Sequence, residues 1–414
     1  MKRVLRTSII IIALGLAVSC SEQEFSSVPS DACVGVNNNH GDGACITDPE
    51  TGMNAYNYSV GSCKADILFV IDNSGSMYED QVELANRFPN FLSAINHLDY
   101  NIAITTTDIS SSPNNYDPND VELIARQDGR FIKFPNGQKF ITKSTPNAQS
   151  AFEATVKRPE TQNCDSGNKS ACPTSDERGI YAVNYALNTA QERGNLGPNS
   201  FFRPDSHFAI VFLSDENVRS DAYVNIDVDN PNPLYKPVEQ DTPQSLIDSV
   251  TNILGSGSTF SAHPIVIQSA ITHSDFDSKG ILTPSHDVAC KDEQAAQSGT
   301  SRPDMWRYGT WYEQLSTAAT GTVDGSTVDH LGGLVKGHAG SICDTNYTPN
   351  LTKIGESIAQ NTHTTNLLCD PTELKVKIGD KELNDSEYEL EGSLLKLPAT
   401  CEKVNVTYKC PANI

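Results

Sequence analysis

The residues best placed to do chemistry lie in "ILFVIDNSGSM", 67 to 77, where an apolar run ends in Asp72 and Ser74 and Ser76 follow at alternate positions. Alternate residues of a short extended segment direct their side chains to one side, and Gly75 permits the tight bend between the serines. One carboxylate and two neutral hydroxyls form a sparse set of hard oxygen donors, the kind that suits Mg²⁺, Mn²⁺ or Ca²⁺. The same serines also suit the N-terminus of a following helix, where a hydroxyl accepts a free backbone N–H.

Other chemistries lack their residues. The nine histidines are scattered without HExxH, no GxxxxGK[ST] loop occurs, and there is no GxSxG elbow. A hydrolytic metal centre wants several histidines or carboxylates around a tightly held ion. His207 and His263 lie in or beside apolar runs and read as core or edge residues, so catalysis is not expected. With 52 acidic and 30 basic residues the formal charge is -22, which argues against nucleic acid as a partner and suits a divalent cation.

Periodicity indicates the elements that must hold Asp72 in place. ADILFVID is a short continuous apolar run, as expected of a strand buried on both faces of a parallel sheet. Val82, Ala85, Phe88, Leu92 and Ile95 then recur at helical spacing over residues 77 to 96, and YNIAITTTD follows as a second strand. Strand, helix and strand within about 40 residues make a βαβ unit with a right-handed crossover. Further helices are predicted at 147 to 157, 177 to 192, 243 to 254, 308 to 319 and 349 to 361, with buried strands at 207 to 215 and 259 to 268 and a weaker one near 332 to 337. RFIKFP and QKFIT, around Asn136 and Gly137, read as an inserted hairpin. The fold class is thus α/β, a doubly wound, mostly parallel sheet over residues 63 to 368. After Cys369 the period changes to two (Leu374, Val376 and Ile378; Val404, Val406 and Tyr408), which predicts a small C-terminal antiparallel β domain at 369 to 414.

Asp72-Asn73-Ser74-Gly75-Ser76, between an apolar strand and an amphipathic helix, resembles the DxSxS signature of the von Willebrand factor A domain and its metal-ion-dependent adhesion site. The resemblance spans roughly residues 64 to 365 and implies two more ligands: Thr174, five residues before Gly179, and Asp215, which ends the run FAIVFLSD. Asp108 and Glu177 are candidates for the surrounding shell, and Glu216 reads as a surface residue. The family's site holds a divalent cation, Mg²⁺ first with Mn²⁺ or Ca²⁺ as alternatives, and keeps an open position that a partner's carboxylate fills. A protein or glycan ligand is the implied partner.

The ends of the chain point to export. Lys2, Arg3 and Arg6 precede an apolar run from Ile9 to Val18, too short to span a membrane and suited to a signal peptide over residues 1 to 19. Ala17-Val18-Ser19-Cys20 resembles the lipobox of bacterial lipoproteins, which implies a lipid on Cys20 that anchors the chain in the envelope. Ser21 resembles the outer-membrane-sorted class. Residues 20 to 62, polar and without apolar period, read as a lipid-anchored tether stapled by Cys33 and Cys45. Eleven cysteines less Cys20 leave an even number, consistent with disulfides in an oxidising compartment. Cys164 is expected to pair with Cys172, Cys63 with Cys369 across the ends of the central domain, and Cys401 and Cys410 elsewhere than with each other. The expected function is metal-dependent adhesion or interaction at the cell envelope. The alternatives are an envelope assembly scaffold whose metal is structural or absent, and a metal-assisted hydrolase.

Overall fold

The structure is a computed structural model that describes residues 44–47, 53–60, 63–109, 127–165, 177–204, 206–218, 239–255, 258–268, 309–317, 322–323, 326–327, 334–367 and 369–410. In chain order its elements begin with β1 (Ala44–Thr47), β2 (Asn54–Val60), β3 (Lys64–Ile71), α1 (Tyr78–Ile95), β4 (Asp99–Thr106) and β5 (Ile141–Thr142). Next come α2 (Ala148–Val156), α3 (Pro159–Asp165), α4 (Gly179–Asn188), β6 (His207–Leu213), α5 (Pro243–Leu254), β7 (Phe260–Val266) and α6 (Thr310–Thr317). The remainder are β8 (Thr322–Val323), β9 (Ser326–Thr327), β10 (Gly340–Ser341), α7 (Thr348–Asn361), β11 (Thr364–Asn366), β12 (Glu373–Ile378), β13 (Lys381–Glu382), β14 (Glu389–Glu391), β15 (Leu394–Lys396) and β16 (Val404–Cys410).

The fold is mixed α/β, with one mostly parallel sheet and separate antiparallel ones. The principal sheet has six strands in the order β10-β7-β6-β3-β4-β5, parallel throughout except for β5. The continuous apolar character of β3 has a direct cause, since both its faces are covered. Ile67, Phe69 and Ile71 pack with Phe88, Phe91, Phe152 and Ile354 from α1, α2 and α7. Leu68 and Val70 pack on the opposite face with Val183, Leu187, Val250 and Trp311 from α4, α5 and α6. Every residue of β6 and β7 is likewise buried. Counting only this sheet's strands in chain order gives 3-2-1-4-5-6, so the direction of winding reverses between β3 and β6. Open sheets of this order bind ligands beyond the carboxyl ends of the strands at that reversal.

Three expectations change at the sheet's margins. RFIKFP forms no strand: Gly137 turns the chain at positive φ with its N–H bonded to the Phe134 carbonyl, and only Ile141–Thr142 joins β4, antiparallel. Near 332 to 337, Leu334 makes an isolated bridge to Phe260, and the edge strand is β10 instead. The unpredicted α3 starts at Pro159, where a missing N–H costs a helix nothing.

Strand pairing crosses the boundaries expected from composition. Residues 44–47 and 54–60 are not a spacer, because β1 and β2 enter a five-stranded antiparallel sheet, β1-β2-β16-β12-β13, in which β2 pairs with β16 over seven residues. A three-stranded sheet, β11-β15-β14, draws Thr364–Asn366 out of the central unit and across the 368/369 boundary. Their shared core includes Leu367, Val376, Leu395, Val404, Val406 and Tyr408. The disulfides follow from this registry and correct the Cys63–Cys369 expectation. Val60 lies opposite Val404, so Cys63 and Cys401, each three residues away on converging chains, meet and bond. Glu373 lies opposite Lys409, which brings Cys369 to Cys410. Cys164 and Cys343 are each in a disulfide as well. The expectations for Cys20, Cys33 and Cys172 lie outside the described residues.

Candidate functional site

Asp72 continues the β3 ladder by one residue, its N–H donating to the Leu213 carbonyl of β6 at 2.9 Å. That pairing sets Asp72, after β3, beside Ser214 and Asp215, after β6, at the reversal of the sheet. Asp72 has no exposed surface; its Oδ1 accepts the Ser74 N–H at 2.9 Å and its Oδ2 the Ser214 hydroxyl at 2.7 Å. The chain then passes through extended Ser74 (φ -61°, ψ 160°) into a single 3-10 turn, Gly75–Met77, before α1. Neither serine hydroxyl caps a helix; they lie 3.3 Å from each other.

A buried clamp fixes this loop from the side. The Gln81 amide donates to the Asp72 carbonyl at 2.8 Å and to Thr161 Oγ1 at 3.0 Å, and the Thr161 hydroxyl donates to the Asn73 carbonyl at 2.8 Å. The Gln81 oxygen in turn accepts the Arg158 N–H at 2.8 Å, so α3 is tied to the site rim. At the rim Arg158 pairs with Glu160 at 2.8 Å.

Asp215 is the unusual member. It is fully buried, and neither carboxylate oxygen has a hydrogen-bond partner. No described lysine or arginine forms a salt bridge with it or with Asp72. Burial pushes the Asp215 carboxyl well above the ordinary carboxylate range, the negative charges of Asp72 and Glu216 add to the rise, and the nearby Ser76 hydroxyl only partly opposes it. Asp72 is raised by the same desolvation and by Glu216, against its bonds from Ser74 and Ser214. Asp80, in the first turn of α1, is pushed up to about 7, chiefly by burial and further by the charge of Asp72. Leaving a charged group buried without partners costs several kcal/mol, roughly, unless a proton or a cation compensates it.

Of the residues expected from sequence, the structure therefore brings together Asp72, Ser74, Ser76 and Asp215; Thr174 lies outside the described residues. Asp108 and Glu177 are buried and face each other in an isolated antiparallel bridge. The Arg178 N–H donates to the Thr107 carbonyl at 3.0 Å, and the Thr107 N–H to that of Ile71 at 3.1 Å, which sets this pair one strand away from Asp72. Glu216 is not a surface residue as expected: it is 5 % exposed and adds charge to the site. Sequence reasoning missed Ser214 and Asp80. Ser214 stands beside Asp215 in the chain, but which way its hydroxyl points depends on the β3–β6 pairing. Among the described residues no group of three or more His, Cys, Asp or Glu is arranged to hold a metal. The strand-end set has two carboxylates, and its other donors are hydroxyls.

No protein-family model matches the sequence, and no curated protein does. Among solved structures, the pilus adhesin SpaC from Lactobacillus rhamnosus GG in its open conformation is 12% identical with a TM-score of 0.21, over 89% of this chain and 42% of that one. Proximal thread matrix protein 1 from the mussel byssus is 11% identical at 0.23, over 53% and 40%. The pilus adhesin RrgA from Streptococcus pneumoniae is 9% identical at 0.21, over 88% and 59%. The chain spans less than two thirds of the length of each, and scores this low carry no argument about fold or function. No described helix is long and apolar enough to cross a membrane.

Proposed function

We infer that the strand-end site binds one divalent cation, Mg²⁺ first with Mn²⁺ or Ca²⁺ as alternatives, and through it docks a protein or glycan ligand. The carrying observation is Asp215, whose two carboxylate oxygens are fully buried and without hydrogen bonds beside a second buried carboxylate. Asp72, Asp215 and the uncapped hydroxyls of Ser74 and Ser76 would hold the ion. The donors are all hard oxygens, which fits such a cation, and the resemblance to the von Willebrand factor A signature supports the same set with Thr174 added. When bound, the cation supplies an electron-poor centre that attracts a further anionic or neutral oxygen from a partner. Ser214 and the Ser74 N–H orient Asp72, while Gln81 and Thr161 keep the loop from collapsing. The reading is of a docking point rather than a catalytic one. Together with the export signal and the lipobox-like Cys20, it describes a lipid-anchored envelope protein acting in adhesion or interaction.

Calorimetric titration with Mg²⁺, Mn²⁺ and Ca²⁺ tests this on the soluble chain from Ser21, which keeps β1 and β2. Saturable binding at one site, lost in both Asp72→Asn and Asp215→Asn, is expected. Absence of binding to folded protein would sink the metal-dependent reading and leave an assembly scaffold in its place.

A further inference from the structure

A second cleft, of about 1000 Å³, opens between the C-terminal half of α7, the Leu334–His338 segment and the β14–β15 hairpin, and its lining shares no residue with the strand-end site. Its lining includes three polar side chains that are more than nine-tenths buried: Asn361 (8 % exposed), His363 (7 %) and Asn366 (6 %). Asn366 Oδ1 accepts the Ser393 hydroxyl at 2.9 Å, and the Asn361 amide donates to the Lys336 carbonyl at 3.1 Å, which fixes both amides in place. Among the described residues the His363 ring has no hydrogen-bond partner, although its backbone is pinned by Leu397 N–H to His363 carbonyl at 2.7 Å. Burial lowers the His363 pKa and His97 lowers it further, so the neutral ring offers one donor and one acceptor. A neutral imidazole with neither nitrogen bonded within the described residues can both donate to a ligand and accept from it.

The charges around the cleft do not favour an ion. The lining carries Lys336, Lys353 and Lys396 against Glu356, Glu387, Glu389 and Glu391; Lys396 is held by Glu391 at 2.8 Å and by Glu389 at 3.6 Å, and Glu387 pairs with Lys381. Hydroxyls and amides from Ser357, Gln360 and Thr364 fill the intervening wall, and Tyr388 adds an aromatic face whose hydroxyl is already committed to Asp385 at 2.7 Å. An extended peptide would use a sheet edge or apolar pockets, but edge strand β14 is exposed and presents Glu389 and Glu391. Paired donors and acceptors beside one aromatic face, with balanced charge, match the ring hydroxyls and apolar ring face of a sugar. The volume, at the upper end of small-ligand sites, has room for more than one ring.

We propose that this cleft binds a neutral oligosaccharide, with His363, Asn361 and Asn366 as the hydrogen-bonding floor and Tyr388 as the stacking wall. Binding here needs no metal, which separates it from the strand-end site. The test is an immobilised array of neutral tri- to hexasaccharides probed with the soluble chain from Ser21, with and without chelator, followed by calorimetry on any sugar captured. Capture that survives chelator and Asp72→Asn, falls at least tenfold in His363→Ala and Tyr388→Ala, and is partly restored in His363→Gln is expected. Each variant is first checked for an unchanged melting temperature, and Ser357→Ala serves as a milder probe if His363→Ala melts early. No capture by folded protein overturns the proposal. So does capture lost to chelator and Asp72→Asn but indifferent to His363→Ala, which would assign the sugar to the strand-end site.

Discussion

Two buried aspartates show how partners decide the value of a charge. Asp66 accepts the Arg203 backbone N–H and Nε, each at 2.7 Å, and also the Ser206 hydroxyl; burial raises its pKa to about 6 while Arg203 pulls the other way. Asp215 has none of these. Asp66→Ala should therefore cost about 3 kcal/mol, because the buried Arg203 guanidinium keeps only the more exposed carboxylate of Asp99 as counter-charge, whereas Asp215→Asn in chelator should leave stability unchanged or raise it while abolishing cation binding. Urea denaturation of the two variants side by side checks the contrast, and equal losses would mean that Asp215 has a structural partner. Asp80 gives a pH signature. The Tyr347 oxygen lies 2.7 Å from both Asp80 Oδ1 and the Ile342 carbonyl, yet its single proton can serve only one of them. A protonated Asp80 resolves this by donating to Tyr347, which then donates to Ile342. Because the folded pKa is about 7 against an ordinary 3.8, the native state holds the extra proton, and the contribution fades as pH rises through that interval. In chelator, stability should decline across that window, and Asp80→Asn, whose amide donates as the acid does, should flatten the decline.

At the scale of elements, the site depends on how closely helices approach the sheet and each other. A Cβ on Gly355 of α7 would lie 2.6 Å from the Ala94 Cβ of α1, so these helices pack at a distance that only glycine allows. Gly355→Val should cost about 1–3 kcal/mol through forced separation, read as a lower urea midpoint. β6 and β7 are joined by a buried polar chain as well as by their ladder. The His338 N–H donates to His263 Nδ1 at 3.0 Å, so His263 Nε2 carries the proton toward Ser261 at 2.7 Å; Ser261 then donates to His207 Nε2 at 2.8 Å, and His207 Nδ1 donates to Thr259 at 3.0 Å. Every member is satisfied only if both rings are neutral, and burial accordingly lowers His207 to about 3 and His263 well below its usual value. Depressed folded values make this contribution complete above the unfolded pKa, near 6.5, and lost as pH falls toward about 3. Ring ¹⁵N shifts should show both histidines neutral down to about pH 4; a charged ring at mild acidity would refute the chain of bonds.

The whole molecule is arranged around the return of the chain to where it began. β2 lies against β16, and the Cys63–Cys401 bond spans 338 residues, so both ends of the α/β unit enter the same antiparallel sheet. A chain begun at Lys64 would lose β1, β2 and this disulfide together. Limited proteolysis should then cut first within residues 369 to 410, with the α/β unit persisting. Reduction of the full chain should lower stability by about 2–4 kcal/mol per lost bond, measured as a shift in denaturation midpoint.

Much of this was legible in the sequence because local pattern and burial agreed. The unbroken apolar run of β3 announced a strand covered on both faces, and α5 was placed to the residue over 243 to 254 because Thr242 accepts the Ser245 N–H and Gly255 ends the helix. The proximity of Asp72, Ser74 and Ser76 was legible because neighbours in sequence are here also neighbours in space. What only the tertiary structure decided depends on which strands lie side by side. β3 meeting β6 turned Ser214 toward Asp72 and buried Glu216, and β2 meeting β16 made a polar stretch into sheet and chose the cysteine partners. Periodicity records which face of an element is apolar, but the registry between distant strands is set by packing across the whole fold, and no local spacing encodes it.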